Sequence, residues 1–418
     1  MKTRVLYLDH TSKLGGAEFA LLRFLKAIDL TAVEPVVLFA DEGPAPDLFR
    51  EAGFETHVLP LAGKVREVRK DTLAGLAFLH PGRATALAAY AVRIARFAKQ
   101  HRVDIIHTNS MKAHFYGGAA GRLAGLPVVW HVRDFINTSY LPGAAVHVVR
   151  LLARMVPSYV ITVSQSVMDQ LHLGDRPNPR KRGVVLDGLT VEELEEADAL
   201  RNAGNAGPAK PVDGWSLPVR IGIVGRIASW KGQHILLDAA AKLLKAGHSA
   251  RFLIIGAPLF GEFAYEEELR RQADALGIAP QVEFLGFRKD VPEILSGLDI
   301  LVHASTSADP CPNTILEGMA HGLPVIGSNG GGVPELIVDG ETGMLAPMGD
   351  ADGLARVLEE LLRNPEKARA LGRAGHARVR SHFTVARVAR QVEEVYRQVL
   401  IGRKPRSPAP ATGLEAAL

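Results

Sequence analysis

The sequence predicts an α/β fold built from two doubly wound domains in tandem. Three observations lead there. The chain has 418 residues, more than one hydrophobic core ordinarily serves. Short continuous apolar runs alternate with longer amphipathic ones, the pattern of parallel strands covered by helices on both faces. This rhythm breaks once, at residues 201–218, RNAGNAGPAKPVDGWSLP, a Gly-, Ala- and Pro-rich linker signal, and then restarts.

The first domain, residues 1–200, has candidate strands at Val5–Leu8, Val36–Phe39, Ile105–His107, Val128–Trp130 and Val160–Val163. Helical patterns lie between them. Leu87, Tyr90, Ala91, Ile94 and Phe97 recur at i, i+3, i+4 and i+7, which puts them on one face. The second domain, residues 219–384, repeats the alternation at Val219–Val224, Phe252–Ile255, Val282–Leu285, Ile300–Val302 and Val325–Ile326. A last helix is expected from about Val385 to Leu400. The tail 404–418, KPRSPAPATGLEAAL, predicts disorder.

Composition narrows the function classes. Hydrophobic residues make up 47% and glycines number 41, so the chain is globular. No apolar run reaches the length of a membrane span, and the start, MKTRVLYLDH, is too short in apolar residues for a signal-peptide core. The single cysteine, Cys311, excludes an intramolecular disulfide, and a reducing cytoplasm is expected. A net charge of +4 permits an anionic ligand or an acidic membrane surface. No nucleic-acid-binding motif is present, and no nucleic acid partner is expected.

In open parallel sheets ligands bind beyond the carboxyl ends of the strands, so the loops after strands carry the search. Gly15-Gly16-Ala17-Glu18 follows the first strand and opens a helix; two glycines let backbone N–H groups approach an anion. The plainer reading is a tight turn. No GxGxxG follows the strand, which argues against a dinucleotide site. Residues 225–232, GRIASWKG, follow the first strand of the second domain. There Arg226 offers a planar fork and Lys231 a point charge, a pair suited to a diphosphate; the alternative is two solvated charges around a turn.

The richest stretch is 309–336, DPCPNTILEGMAHGLPVIGSNGGGVPEL. Pro310 and Pro312 suit a turn before a helix. Asn313 and Thr314 then fall at the helix start, where free N–H groups can meet phosphate. Glu317 falls near the first turn and can accept from two ribose hydroxyls, or it simply complements the helix dipole. Asp309 points into the cleft or is a turn residue. His131 and His107 end strands; a functional role is expected for His131, and structural ones for His107 and His303. Cys311 has no base beside it in sequence to make it a nucleophile.

Taken in order, these segments resemble the retaining glycosyltransferases of family four, which have the GT-B fold of two Rossmann-like domains facing across a cleft. The resemblance rests on Asp309 and Glu317 with seven residues between them, on Gly318-Met319-Ala320-His321, Gly322-Leu323-Pro324-Val325 and Gly331-Gly332-Val333-Pro334-Glu335. Gly225–Gly232, Gly15-Gly16, His131 in VVWHVRD and Asp187 in VVLDGL complete it, over residues 1–403. The family usually has Glu-Pro-Phe-Gly where this chain has Asp309-Pro310-Cys311-Pro312, one methylene shorter at the acid.

The resemblance implies a donor that is a nucleotide-diphosphate sugar, a UDP-sugar by family habit. It implies Arg226 and Lys231 on the diphosphate, Glu317 on the ribose and Asp309 on the transferred sugar. Gly330, Gly331 and Gly332 would let backbone pass close to the diphosphate or sugar, and His131 would touch the sugar or phosphate from the other domain. No His/Cys cluster with metal spacing is present, so metal-independent chemistry without a cofactor is expected. The acceptor, a glycan or a lipid-linked glycan, is expected near Gly15, Gly16, Lys112, His131 and Arg133. Arg83, Arg93, Arg96, Lys99 and Arg102 are either a membrane-facing stripe, giving peripheral contact, or a solvated helix face. The final helix, 385–403, is expected to pack back on the first domain. Two other functions fit the same fold: a sugar-nucleotide hydrolase or epimerase, and a non-catalytic nucleotide-sugar-binding protein.

Overall fold

The computed structural model describes residues 2–61, 81–139, 141–174, 181–205, 214–258 and 262–403. The first sheet holds β1 (Thr3–Asp9), β2 (Val33–Phe39), β3 (Glu55–Val58), β4 (Ile105–Thr108), β5 (Val128–Val132), β6 (Tyr159–Thr162) and β7 (Lys181–Val184). Its order is β3-β2-β1-β4-β5-β6-β7. The second holds β8 (Val219–Val224), β9 (Ala250–Ile255), β10 (Val282–Gly286), β11 (Ile300–His303), β12 (Val325–Ser328) and β13 (Met344–Ala346). Its order is β10-β9-β8-β11-β12-β13. Every pairing is parallel. The two expected doubly wound domains are therefore present, and each reverses strand order once, between β1 and β4 and between β8 and β11.

Strand alternation sorts the first sheet's side chains between two cores. Leu6, Leu8, Ile106, Val128 and Trp130 face the helices Pro81–Gln100 and Met111–Ala124, where Tyr90, Ala91 and Ile94 of the expected stripe are buried. Val5, Tyr7, Ile105, Val129 and Ile161 face the other way, onto the helices Gly16–Ala27 and Val385–Leu400. The last helix buries Val385, Val388, Ala389, Val392, Val395, Tyr396 and Val399 against that face. The end of the chain thus completes the core of its beginning.

One local expectation changes. Residues 201–205 are not loop: they finish the helix Val191–Asn205. A capping box starts it, with Thr190 Oγ1 accepting from the Glu193 N–H at 3.1 Å and Glu193 Oε2 from the Thr190 N–H at 2.8 Å. Residues 206–213 and the tail 404–418 lie outside the described residues. Glu317, expected near the first turn, falls just past it. The helix runs Asn313–Ala320, so Glu317 is its fifth residue. Among the described residues, no helix is long and apolar enough to cross a membrane.

Candidate functional site

The loop after β8 is shaped by its glycines. Gly232 has φ +75°, and a Cβ there would lie 1.9 Å from the Ala304 carbonyl oxygen. Only glycine fits that close passage beside the end of β11. The passage brings Lys231 to Asp309: Lys231 Nζ donates to Asp309 Oδ2 at 2.7 Å. Trp230 lies beside both cations, its ring centroid 4.3 Å from Lys231 Nζ and 5.8 Å from Arg226 Cζ. Arg226 Nε is 3.5 Å from Glu262 Oε2.

Asp309 is buried. His303 Nε2 stands 3.5 Å from its Oδ2 and 3.0 Å from Ser305 Oγ. Burial alone would raise the Asp309 pKa. Lys231 and His303 outweigh it and hold the carboxyl well below the usual carboxylate range. The Gly330–Gly332 loop runs directly beneath. Gly331 has φ +63°, and a Cβ on it would sit 2.3 Å from the Asp309 carbonyl oxygen; the Gly332 N–H donates to that oxygen at 2.9 Å. The sequence reading gave Lys231 and Asp309 separate tasks. The structure joins them and adds His303, expected to be merely structural, as a neighbour of the acid.

Asn313 and Thr314 begin their helix as expected, and Asn313 Oδ1 is buried without a hydrogen-bond partner among the described residues. Across from it, a Cβ on Gly16 would come 3.8 Å from Asn313 Nδ2. The Gly15-Gly16 loop and the helix Asn313–Ala320 therefore face one another. Gly15 itself is extended at φ −152°, so close approach rather than a left-handed turn is what its neighbourhood uses.

Glu317 meets a partner that sequence reasoning missed. Arg23, on the helix Gly16–Ala27, donates from Nη2 to Glu317 Oε1 at 2.9 Å and from Nε to Glu193 Oε1 at 2.7 Å. One arginine thus links the helix Gly16–Ala27 of the first domain with the helices Val191–Asn205 and Asn313–Ala320. Its signal was present as a lone cation inside the apolar run FALLRFL. Glu335 makes a second tie: its carboxylate accepts from the Gln165 and Ser166 N–H groups at 2.9 and 3.1 Å.

At the carboxyl ends of β1, β4 and β5 a buried polar network forms. Arg133 donates to Asn109 Oδ1 at 2.8 Å and from Nη1 to both Asp187 oxygens at 2.8 and 2.9 Å. Asn109 Nδ2 donates to Asp9 Oδ2 at 3.1 Å. Arg133, expected to meet an acceptor, is instead committed to Asp187, which explains an acid in that turn. Burial, Asp187 and Asp309 push the Cys311 thiol far up, against a nucleophilic role.

Glu18 is buried in the same corner. Burial and the charge of Asp9 raise its pKa to about 8. A carboxyl with a raised folded pKa stabilises the fold below its unfolded pKa, and that contribution is lost as pH rises towards 8. Glu18→Gln is expected to flatten the decline in melting temperature between about pH 5 and 8. An unchanged pH slope in thermal unfolding would rule this out.

His131 is buried. Its Nδ1 is 3.2 Å from His107 Nε2; His107 Nδ1 is 2.8 Å from Tyr396 Oη; and Tyr396 Oη is 2.9 Å from Tyr7 Oη. His131 Nε2 is buried with no partner among the described residues. A separate group, Glu55, His57 and His101, gathers at the β3 edge, where Arg4 already pairs with Glu55.

Comparison with known proteins bears on the family and the fold. Residues 14–186 match the model of Glycosyltransferase Family 4, and residues 218–378 that of Glycosyl transferases group 1. A D-inositol 3-phosphate glycosyltransferase of Corynebacterium diphtheriae is 29% identical over 75% of this chain and 75% of its own. A lipopolysaccharide core biosynthesis glycosyltransferase, LpsE, of Rhizobium meliloti is 29% identical over 43% of this chain and 49% of its own. The matched region thus spans about half the length of some curated relatives. Anabaena HepE, solved with UDP and glucose, superposes with a TM-score of 0.75 at 27% identity over 94% of this chain and 99% of that one. WaaG, a glycosyltransferase involved in lipopolysaccharide biosynthesis, shares the fold at a TM-score of 0.66 and 15% identity, over 94% of this chain and 99% of that one. The architecture is that of the two-domain GT-B fold.

Proposed function

The chain belongs to the group 1 glycosyltransferases, and we propose that it moves a sugar from a UDP-sugar to a hydroxyl acceptor with retention at the anomeric carbon. The observation that carries this reading is the Lys231–Asp309 pair, held at the second sheet's switch point over the Gly331 backbone. Lys231 has three protons and Asp309 uses one, so two remain for the diphosphate. Asp309 Oδ2 is engaged by Lys231, which leaves Oδ1 for a sugar hydroxyl. Glu317 keeps lone pairs for ribose beside its bond to Arg23. UDP and glucose bound to HepE support the choice of donor.

In the proposed reaction the bond between the anomeric carbon and the phosphate oxygen breaks, the acceptor oxygen bonds to that carbon, and the acceptor proton passes to a phosphate oxygen. The enzyme's main task is to stabilise the departing UDP. Arg226 and Lys231 supply that charge without a metal. Names such as lipopolysaccharide core and amylovoran biosynthesis among the relatives support cell-surface glycan assembly.

The test is turnover of a UDP-sugar panel with hydroxyl acceptors in EDTA, with the product's anomeric configuration read by NMR. Acceptor-dependent UDP release with the donor's configuration kept supports transfer. Release without acceptor indicates hydrolysis, and no release indicates a binding protein.

A lipid-linked acceptor is favoured by one surface. Val148, Leu151 and Met155 are 49%, 53% and 46% exposed along one face of the helix Gly143–Met155. That helix has no acidic residue, and Arg150 and Arg154 donate to backbone carbonyls, which leaves their charge for anionic lipid. On Pro81–Gln100, which carries most of the stripe first considered, Arg93 likewise donates to a backbone carbonyl, that of Pro60. Co-sedimentation with phosphatidylglycerol vesicles, and its loss in Leu151→Ser, is the expected result; equal sedimentation of the variant would remove this reading.

A further inference from the structure

The buried chain from His131 to Tyr7 can run in two senses, and the sense decides what His131 can do. Tyr7 and His107 are register partners on β1 and β4, and both point to the face covered by the last helix. Tyr396 reaches them from that helix. Its hydroxyl lies 2.9 Å from that of Tyr7, and a phenol has one proton; in the sense proposed here Tyr396 spends its proton on Tyr7. At its 2.8 Å contact with His107 Nδ1 it must therefore accept, which puts the His107 proton on Nδ1.

Both rings are neutral. Burial first, then Arg133 and His114, bring the His107 pKa down to about 3. Burial, Arg133 and the neighbouring histidines hold His131 well below its ordinary value. A neutral imidazole protonated on Nδ1 has a bare Nε2. His107 Nε2 can then only accept, so the 3.2 Å contact requires the His131 proton on Nδ1. What remains is His131 Nε2, unprotonated, buried and without a partner among the described residues. It stands two residues before Arg133, near the carboxyl end of β5.

We propose that Tyr396 and His107 are positioning residues that fix His131 as its Nδ1–H tautomer, so that its Nε2 offers a lone pair to a hydroxyl of the bound substrate. The relay gives the returning helix a task beyond packing: one phenol at the end of the chain sets the hydrogen-bonding sense of a site residue on β5. A hydroxyl donating to Nε2 satisfies an atom that the free protein leaves unpaired, so a sugar lacking that hydroxyl is disfavoured. This substrate role rests on the glycosyltransferase reading; the tautomer itself does not.

The test reads the two separately. Long-range proton–nitrogen NMR spectra of the full chain, labelled with 15N-histidine and without substrate, report which nitrogen of each ring is protonated. His131, assigned by its absence in His131→Gln, is expected as Nδ1–H. Tyr396→Phe removes the acceptor for His107 Nδ1–H, and Tyr7→Phe removes the acceptor for the Tyr396 proton. Each should let the chain reverse and move the His131 proton to Nε2. Each changes one oxygen only, so if one variant fails to fold the other keeps the test. Both are expected to lower kcat/KM for the sugar nucleotide by roughly ten- to a hundredfold with UDP affinity unchanged. Nε2–H on His131 in the unaltered protein, or no change of tautomer in a folded variant, would overturn the relay. The tautomers as expected but with no kinetic effect would overturn the substrate role alone.

Discussion

Replacing Lys231 by alanine is expected to lower kcat/KM for the sugar nucleotide by about 10²–10³-fold and to introduce an acid limb into the pH–rate profile. The first effect is loss of the cation that, in the proposed reaction, meets the departing diphosphate. The second follows from Asp309. Its burial favours the neutral acid, and Lys231 at 2.7 Å, with His303 behind it, overrides that preference. Without Lys231 the burial is opposed chiefly by His303, so the carboxyl's pKa climbs. A depressed carboxyl contributes stability that is present above its unfolded pKa and is lost as pH falls through its folded pKa. In the unaltered protein that loss lies below the usual carboxylate range, and in the variant it moves upward. Lys231→Arg, which keeps the charge, should leave the acid limb absent even where turnover falls. An alanine variant with an unchanged profile would show that Lys231 does not govern Asp309.

Asp187→Ala is expected to cost about 3–5 kcal/mol of stability, the usual effect of stranding one member of a buried ion pair. Arg133 and Asp187 share two short hydrogen bonds, and each side chain is only 8% exposed. At roughly 2–4 °C per kcal/mol for a domain of this size, the first domain's melting temperature should fall by about 6–20 °C. The double variant Arg133→Met/Asp187→Leu should recover much of this, because no charge is left unpaired. A single-variant loss within about 0.5 kcal/mol, the range of ordinary surface changes, would mean water already reaches the pair.

Most of the architecture was legible because central parallel strands are continuous apolar runs. The strands that escaped, β3, β7 and β13, are all at sheet edges. Sequences such as ETHV and KRGV are mixed because solvent covers part of them. In the site, the loops and acids announced themselves through glycine, proline and charge at strand ends. Their partners did not. Lys231 and Asp309 lie 78 residues apart, Arg23 and Glu317 294, and His107 and Tyr396 289. No local spacing encodes such contacts. Only the switch-point topology and the return of the last helix bring them together, so their chemistry becomes visible once the chain is folded.

The most direct test of the central claim is calorimetric titration of the intact chain with UDP in EDTA. The account predicts saturable one-to-one binding, at least tenfold weaker in Glu317→Ala and in Lys231→Ala. The switch-point loops of the second domain would then be the donor site, with no metal required. Equal affinity in both variants, or binding that appears only when a divalent cation is restored, would contradict it.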